Sequence, residues 1–167
     1  MGDLEKRGKL NHSIKVGISF GTTSGIITTL GLIIGLYAST ASKLVVIGGI
    51  LTIAVADAMS DALGIHISEE SENKHTHKEI WASTLATFFS KFLFALTFMI
   101  PILLFRLDTA VIISMVYGMV AIAMLSYIIS KDKKVKKIEV ILEHWFIAVI
   151  VIAVTYFVGH LVNSIFN

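Results

Sequence analysis

Residues 45–65 read VVIGGILTIAVADAMSDALGI, an apolar run in which only Asp57 and Asp61 carry charge. A helix needs about 20 such residues to cross the hydrocarbon core of a bilayer, so this stretch predicts a transmembrane helix. A carboxylate at that depth is costly, and ionisable groups inside a membrane usually bind an ion, relay protons or pair with an opposite charge. We therefore expect the function of the chain to centre on these two aspartates.

The composition is that of a membrane protein. Of the 167 residues, 55% are hydrophobic and 16% are charged, and the mean hydropathy is +0.82. These values exclude an ordinary soluble domain. The net charge of +2 is spread over short basic clusters between apolar runs, which does not predict nucleic-acid binding. The absence of cysteine excludes disulfides and thiolate metal ligands.

Apolar segments of about 20 residues predict an all-α, polytopic integral membrane protein. We expect a single transmembrane domain over residues 1–167 that contains five transmembrane helices and a short acidic, histidine-containing loop at 68–79. The predicted helices lie near 14–38, 44–66, 81–105, 109–130 and 140–163.

The orientation follows from the distribution of basic residues. One side of the predicted bundle carries only Lys43 and Arg106, whereas the other carries two basic clusters, and short cytoplasmic loops are enriched in Lys and Arg. The N-terminus and the loop at 68–79 are therefore predicted to be cytoplasmic and the C-terminus outside. We expect a multi-pass membrane protein, in the cell membrane if the source is prokaryotic. The basic clusters are Lys6, Arg7, Lys9, Lys15 and Lys131, Lys133, Lys134, Lys136, Lys137.

Helix 1 carries small residues at a spacing that favours close helix packing. This pattern fits packing within the chain or a seam between two subunits. Hydroxyl side chains, among them Ser24 and Thr28, interleave with the glycines; they could line a hydrated path or bond back to carbonyls of their own helix. The glycines are Gly17, Gly21, Gly25, Gly31 and Gly35.

Asp57 and Asp61 are four residues apart and share one helix face. Two carboxylates so close do not both ionise readily without a cation or a proton between them. This predicts a divalent-ion or proton-coupled site, with Met59 as a neighbouring ligand. The alternative is a structural ion pair with Lys91 of helix 3, which we place at a similar depth. A mixed interpretation is also open, in which Lys91 neutralises one aspartate in the empty state and yields to an incoming cation.

The segment around the loop at 68–79 is rich in carboxylates and imidazoles, which suit divalent metals such as Fe, Mn, Co or Zn. Their spacing matches no fixed ligand motif, so a solvated acidic loop is the alternative to metal capture. The candidate ligands are His66, Glu69, Glu70, Glu72, His75 and His77, with Glu79 beside them.

Several stretches together resemble the vacuolar iron transporter family. They are FGTTSGIITTLGLIIG (20–35), ADAMSDALGIHISEESE (56–72), Pro101, and VTYFVGHL (154–161). The resemblance implies a homodimer of five-helix subunits that exports or sequesters ferrous or manganous ions in exchange for protons. It also implies an ion path lined by helices 1 and 2.

The same resemblance implies particular site residues. Family members carry an aspartate before a glycine in helix 1 and a methionine in helix 2; here those positions are Ser24 and Asp61. The acid is thus moved from helix 1 to helix 2, and we expect Lys91 to lie in the same path. A carboxylate in place of the thioether favours a harder ion, such as Mn or Mg. No permanently bound cofactor is expected, because the metal ion is the transported substrate.

Two other classes of function are open. The Asp57-x3-Asp61 spacing is similar to the end of the CDP-alcohol phosphotransferase signature, but no arginine occurs between Arg7 and Arg106, so we do not expect an enzyme. The other class is a non-transporting membrane scaffold in which Asp57 and Lys91 lock the bundle together.

Overall fold

The chain folds into α-helices that alternate in direction through one bundle. The computed structural model describes residues 2–131 and 136–166, with side chains from residue 7 onward. The six helices of these described residues form five spans, because α3 and α4 together make one of them. Each span is long and apolar enough to cross a membrane. The predicted all-α fold with five spans is confirmed. The helices are α1 (Gly2–Thr40), α2 (Lys43–Ser71), α3 (His77–Thr97), α4 (Met99–Leu104), α5 (Leu107–Ser130) and α6 (Lys137–Phe166).

The helices extend further than the predicted apolar spans. The loop predicted at 68–79 is wrong in extent, because α2 continues to Ser71 and α3 begins at His77. Hydropathy detects only the part of a helix that fits the hydrocarbon layer, whereas polar turns continue beyond it. The start of α3 is fixed by a capping box, in which the Thr76 side chain accepts from the Glu79 backbone N–H and the Glu79 carboxylate accepts from that of Thr76.

The third span is interrupted at Phe98, between the end of α3 at Thr97 and the start of α4 at Met99. Pro101 follows three residues later. Proline has no backbone N–H, so the carbonyl of Thr97 loses its helical partner and the helix breaks in this turn.

Some of the basic residues from which the orientation was predicted are not described by the structure. Lys133 and Lys134 lie outside the described residues, as does the side chain of Lys6. Which end of the bundle faces the cytosol stays a prediction.

Helix α1 is the centre of the bundle. It packs against α2, α3, α5 and α6 and is the most buried of the spans, whereas α6 is the least buried. The outward faces of the other helices are apolar, as expected for surfaces covered by lipid. The buried core consists mainly of Ile26, Leu30, Ile33, Ile34, Val46, Ile50, Phe98, Ile102, Ala110, Val111 and Ile122.

The glycines of α1 are used for packing within the chain. Gly17, Gly21 and Gly25 face α3, and a Cβ at Gly17 would overlap the carbonyl oxygen of Ser83. Gly31 and Gly35 face α6 on the other side of the helix. The intramolecular interpretation of this pattern is confirmed, and it brings the backbones of α1 and α3 into direct contact.

Replacing Gly17 by alanine is therefore expected to destabilise the fold. The added methyl group would meet the Ser83 backbone and come within 2.9 Å of the Ala86 Cβ. Overpacking of this kind costs about 1–3 kcal/mol, which thermal unfolding in detergent can measure. The control is Gly8→Ala, because a Cβ at Gly8 meets nothing within 4 Å. Equal unfolding temperatures for the two variants would contradict the close α1–α3 contact.

Candidate functional site

Three helices bring a charged cluster together at the middle of the bundle. Asp57 is the middle residue of α2, which has 29 residues, and Lys91 lies halfway along the span His77–Leu104. Asp61 follows one turn after Asp57, and Ser24 of α1 completes the cluster. We call these four residues the mid-span cluster.

The ammonium group of Lys91 is the hub of the mid-span cluster. Its Nζ lies 2.6 Å from Asp57 Oδ2 and 2.5 Å from Asp61 Oδ2. It also donates to Ser24 Oγ at 2.9 Å, while the Ser24 hydroxyl donates to Asp61 Oδ2 at 2.6 Å. The contact with Asp57 is an ion pair outside hydrogen-bond geometry, because Asp57 Oδ2 has no hydrogen-bond partner. The Asp57–Lys91 ion pair, which the sequence offered as the alternative to a cation site, is present, and Asp61 shares the same ammonium.

The three charges differ in exposure. The Lys91 side chain is 2% exposed, whereas those of Asp57 and Asp61 are 31% and 21% exposed. The lysine thus lies inside the bundle, and the carboxylates reach its surface. One ammonium against two carboxylates leaves a formal charge of −1, provided that all three groups are ionised.

The local sequence explains why Lys91 fits in this position. Gly25 of α1 faces Lys91, and a Cβ there would come within 3.1 Å of the Lys91 carbonyl oxygen and 3.3 Å of its Cγ. The glycine therefore lets the lysine stem lie against α1. On α2, the buried residues Ala58 and Ala62 have small side chains that permit close helix packing beside the aspartates.

Other residues of the predicted ion path have different surroundings. The Thr28 hydroxyl donates to the Ser24 carbonyl at 2.9 Å and is satisfied by its own helix. The structure does not bring Met59 to the aspartates: it is 59% exposed on the outer surface of α2. Two residues correspond to about 200° around a helix, so Met59 points away from both acids.

Two predicted metal ligands near the C-terminal end of α2, Glu69 and His66, contact α3 and not each other. Glu69 is 8% exposed and accepts a hydrogen bond from Ser83 Oγ at 2.6 Å. His66 Nδ1 lies 3.0 Å from Thr84 Oγ1. Both contacts connect α2 to α3 where the two helices leave the predicted membrane layer.

The remaining candidate ligands lie towards solvent. Glu70 is exposed, and a Glu72 carboxylate oxygen lies 3.9 Å from Nε2 of His75. His77 Nε2 accepts from the Trp81 indole N–H at 3.1 Å. Within residues 2–131 and 136–166, no three His, Asp or Glu side chains converge in a way that would hold a metal ion.

Two buried hydroxyls on α3 were not predicted from the sequence. Ser83 is the partner of Glu69, and Thr87 has a buried Oγ1 without a hydrogen-bond partner. Together with Glu79 and Lys91 they form a buried polar series at a spacing of four residues. This spacing within an apolar helix was the signal that could have identified them.

Comparison with known protein families points to one of them. Residues 18–83 match the model of the VIT (vacuolar iron transporter) family. The chain resembles the VIT family. The match covers less than half of the chain, namely most of α1, all of α2 and the first turns of α3, and no curated protein matches the chain. The five apolar spans indicate a multi-pass membrane protein, and members of the VIT family, which the chain resembles, are membrane metal-ion transporters.

The structure gives the VIT resemblance a spatial meaning. The resemblance implies that Ser24 and Asp61 stand where family members carry the helix 1 aspartate and the helix 2 methionine, and the Ser24 hydroxyl here donates a hydrogen bond to Asp61. A carboxylate on α2 therefore reaches the same place as one on α1 would.

This contact predicts that the hydroxyl and the carboxylate can be exchanged. Ser24→Asp and Asp61→Ser should each destabilise the protein, because the first places three acids around one ammonium and the second leaves one. The double variant restores the original groups in reversed positions, and we expect a coupling free energy of about 1–3 kcal/mol in a double-mutant cycle. Additive effects on thermal stability would show that the two side chains do not interact.

Proposed function

We propose that this protein transports divalent metal ions of the Fe²⁺/Mn²⁺ class through the mid-span cluster, in exchange for protons. The observation that carries the proposal is the position of Asp57 and Asp61, which direct carboxylate oxygens to one cation position at the middle of the spans. Acids at this depth are expensive to maintain and mark ion pathways in membrane proteins. The VIT resemblance over the same helices supports this function.

The ligand atoms favour a hard cation. Asp57, Asp61 and Ser24 offer carboxylate and hydroxyl oxygens, which suit Mn²⁺ and Mg²⁺. The thioether of Met59 points away from the cluster. We therefore propose that Mn²⁺ is accepted at least as well as Fe²⁺.

We further propose that the ions move out of the cytosol. The basic clusters favour a cytoplasmic location for the end of the bundle that holds the α2–α3 connection. Acidic and imidazole side chains at this end, namely the exposed Glu70, Glu72 and His77 and the partly buried His75, would attract cations to the entrance. Proton exchange follows from the chemistry of the aspartates, since an incoming proton competes with a cation for the same oxygens.

A homodimer would cover the side of the mid-span cluster on which the carboxylates are exposed. Carboxylates that are 31% and 21% exposed cannot face lipid without a large cost, so this surface needs a polar or protein cover. Small exposed residues follow α2 at a spacing of four and adjoin the aspartates, which would let a second copy of α2 approach closely. These residues are Gly48, Thr52, Ala56, Ser60 and Gly64.

A non-transporting scaffold is the second candidate function. It is favoured by the nearly complete burial of Lys91 and by its simultaneous contact with both aspartates, which together would lock α1, α2 and α3. A pure lock gains nothing from a bound metal ion. A cation that stabilises the folded protein would separate the transporter from the scaffold.

Transport is tested by ion uptake into proteoliposomes under an imposed pH gradient. We expect Mn²⁺ and Fe²⁺ flux in the wild type and a loss on the order of tenfold or more in Asp57→Asn and Asp61→Asn, because each change removes one charged ligand. Either variant leaves Lys91 paired with one carboxylate, so the protein should be less stable than the wild type but still fold.

Asp108→Asn is the matched control for this experiment. Asp108 lies at the far end of the bundle, where it accepts from the Tyr37 hydroxyl, and its replacement should leave flux unchanged. Wild-type flux in both mid-span variants would remove the basis for the proposed path. Absence of flux with every ion in folded protein would favour the scaffold.

The dimer proposal makes a separate prediction. Ser60→Leu places a bulky side chain in the row of small exposed residues along α2. It should therefore shift the protein from dimer to monomer in detergent, as measured by light scattering. Ala153→Leu on α6 is the control, because that residue is also exposed but lies on a helix that packs against α1 and α5. A monomeric wild type, or equal dimer fractions in the two variants, would count against an α2 interface.

A further inference from the structure

We propose that Lys91 is a specificity-determining residue whose ammonium occupies the cation position, and that it thereby excludes monovalent ions and weakens the binding of divalent ones. This inference rests on the proposed transport function. It assigns to Lys91 a role that a simple structural pair would not have, namely competition with the transported ion.

The position of the Lys91 ammonium between the two aspartates is the one that a bound ion would need. The Nζ atom lies 2.5 and 2.6 Å from one oxygen of each aspartate, so it fills the space between the two carboxylates. The ammonium therefore stands where a bound metal ion would stand. A cation cannot bind both Oδ2 atoms until Nζ has moved away.

The charge of an incoming ion decides whether it gains by displacing the ammonium. A monovalent ion that displaces the ammonium replaces one positive charge by another, so it gains no electrostatic attraction and leaves the ammonium without its partners. A divalent ion brings one additional positive charge to two carboxylates. Competition by Lys91 therefore discriminates against Na⁺ and K⁺, which an unoccupied pair of carboxylates would attract.

The Lys91 side chain has little room to move its ammonium away from the aspartates. The Lys91 backbone and Cγ pack against Gly25, so only the outer part of the side chain can turn away. Nζ then stays within several Å of a bound ion, and its repulsion lowers the affinity for divalent ions as well. Moderate affinity suits transport, because an ion has to leave the site as well as enter it.

The experiment measures Mn²⁺ binding to the purified full-length protein in detergent. Free Mn²⁺ is determined by electron paramagnetic resonance, with and without NaCl at constant ionic strength. In Lys91→Met and Lys91→Gln we expect binding tighter by on the order of tenfold or more, together with competition by Na⁺ that the wild type lacks. Lys91→Arg keeps the charge and should not bind Mn²⁺ more tightly than the wild type.

Lys43→Met is the matched control. The Lys43 ammonium also makes intramolecular contacts, donating to the carbonyls of Leu103 and Phe105, but it lies about 21 Å along α2 from Asp57. Its removal should change neither the Mn²⁺ affinity nor the effect of Na⁺.

A stability readout covers the case in which Lys91→Met folds poorly. Two aspartates without a counter-ion should lower the unfolding temperature in the presence of a chelator, and Mn²⁺ should restore it by taking the place of the ammonium. Equal instability with and without Mn²⁺ in both neutral variants would overturn the inference and leave Lys91 a structural residue.

The outcomes separate this inference from the proposed function. If the wild type binds Mn²⁺ through Asp61 but the neutral Lys91 variants bind it no more tightly, the inference fails and the transport proposal stands. If folded wild type and folded variants all fail to bind Mn²⁺, the proposed function itself fails.

Discussion

The structure depends on placing one ammonium and two carboxylates among apolar helices. Each charge would be prohibitively costly alone at this depth, and all three are tolerated because the ammonium lies within 2.6 Å of an oxygen of both carboxylates. This requirement fixes how α1, α2 and α3 are arranged. Gly25 permits the close approach of Lys91 to α1, and Ser24 supplies a hydroxyl that bridges the lysine and Asp61. The interaction holds the bundle together and also creates a cation position.

The same constraint connects the fold to the VIT resemblance. The matched region contains Ser24, Asp57 and Asp61, whereas Lys91 lies beyond it. An acid on α2 in hydrogen-bond contact with α1 keeps carboxylate chemistry at one point in the bundle, although the residues differ from those that the resemblance implies for helices 1 and 2. The resident ammonium adds a positive charge that, under the proposed function, an ion would have to displace.

Much of this arrangement could be predicted from the sequence, and the reasons for the failures are physical. Apolar length predicted the five spans, and counting residues from the helix ends placed Asp57 and Lys91 at one depth. Rotation around the helix axis was harder to judge, so Met59 was assigned to a site from which it points away. The bridge by Ser24 depends on the packing angle of α1 against α2, which no local pattern specifies. The ends of α2 and α3 extend into polar sequence, where hydropathy carries no signal.

The most direct test of the account is a crystal structure of the protein with Mn²⁺, with the metal located by its anomalous scattering. We expect an anomalous peak at ligand distance from the Oδ2 atoms of Asp57 and Asp61, with the Lys91 ammonium displaced from its present position. An ammonium that keeps both ion pairs in saturating Mn²⁺, with no metal between the aspartates, would contradict the central claim that the mid-span cluster is a cation site.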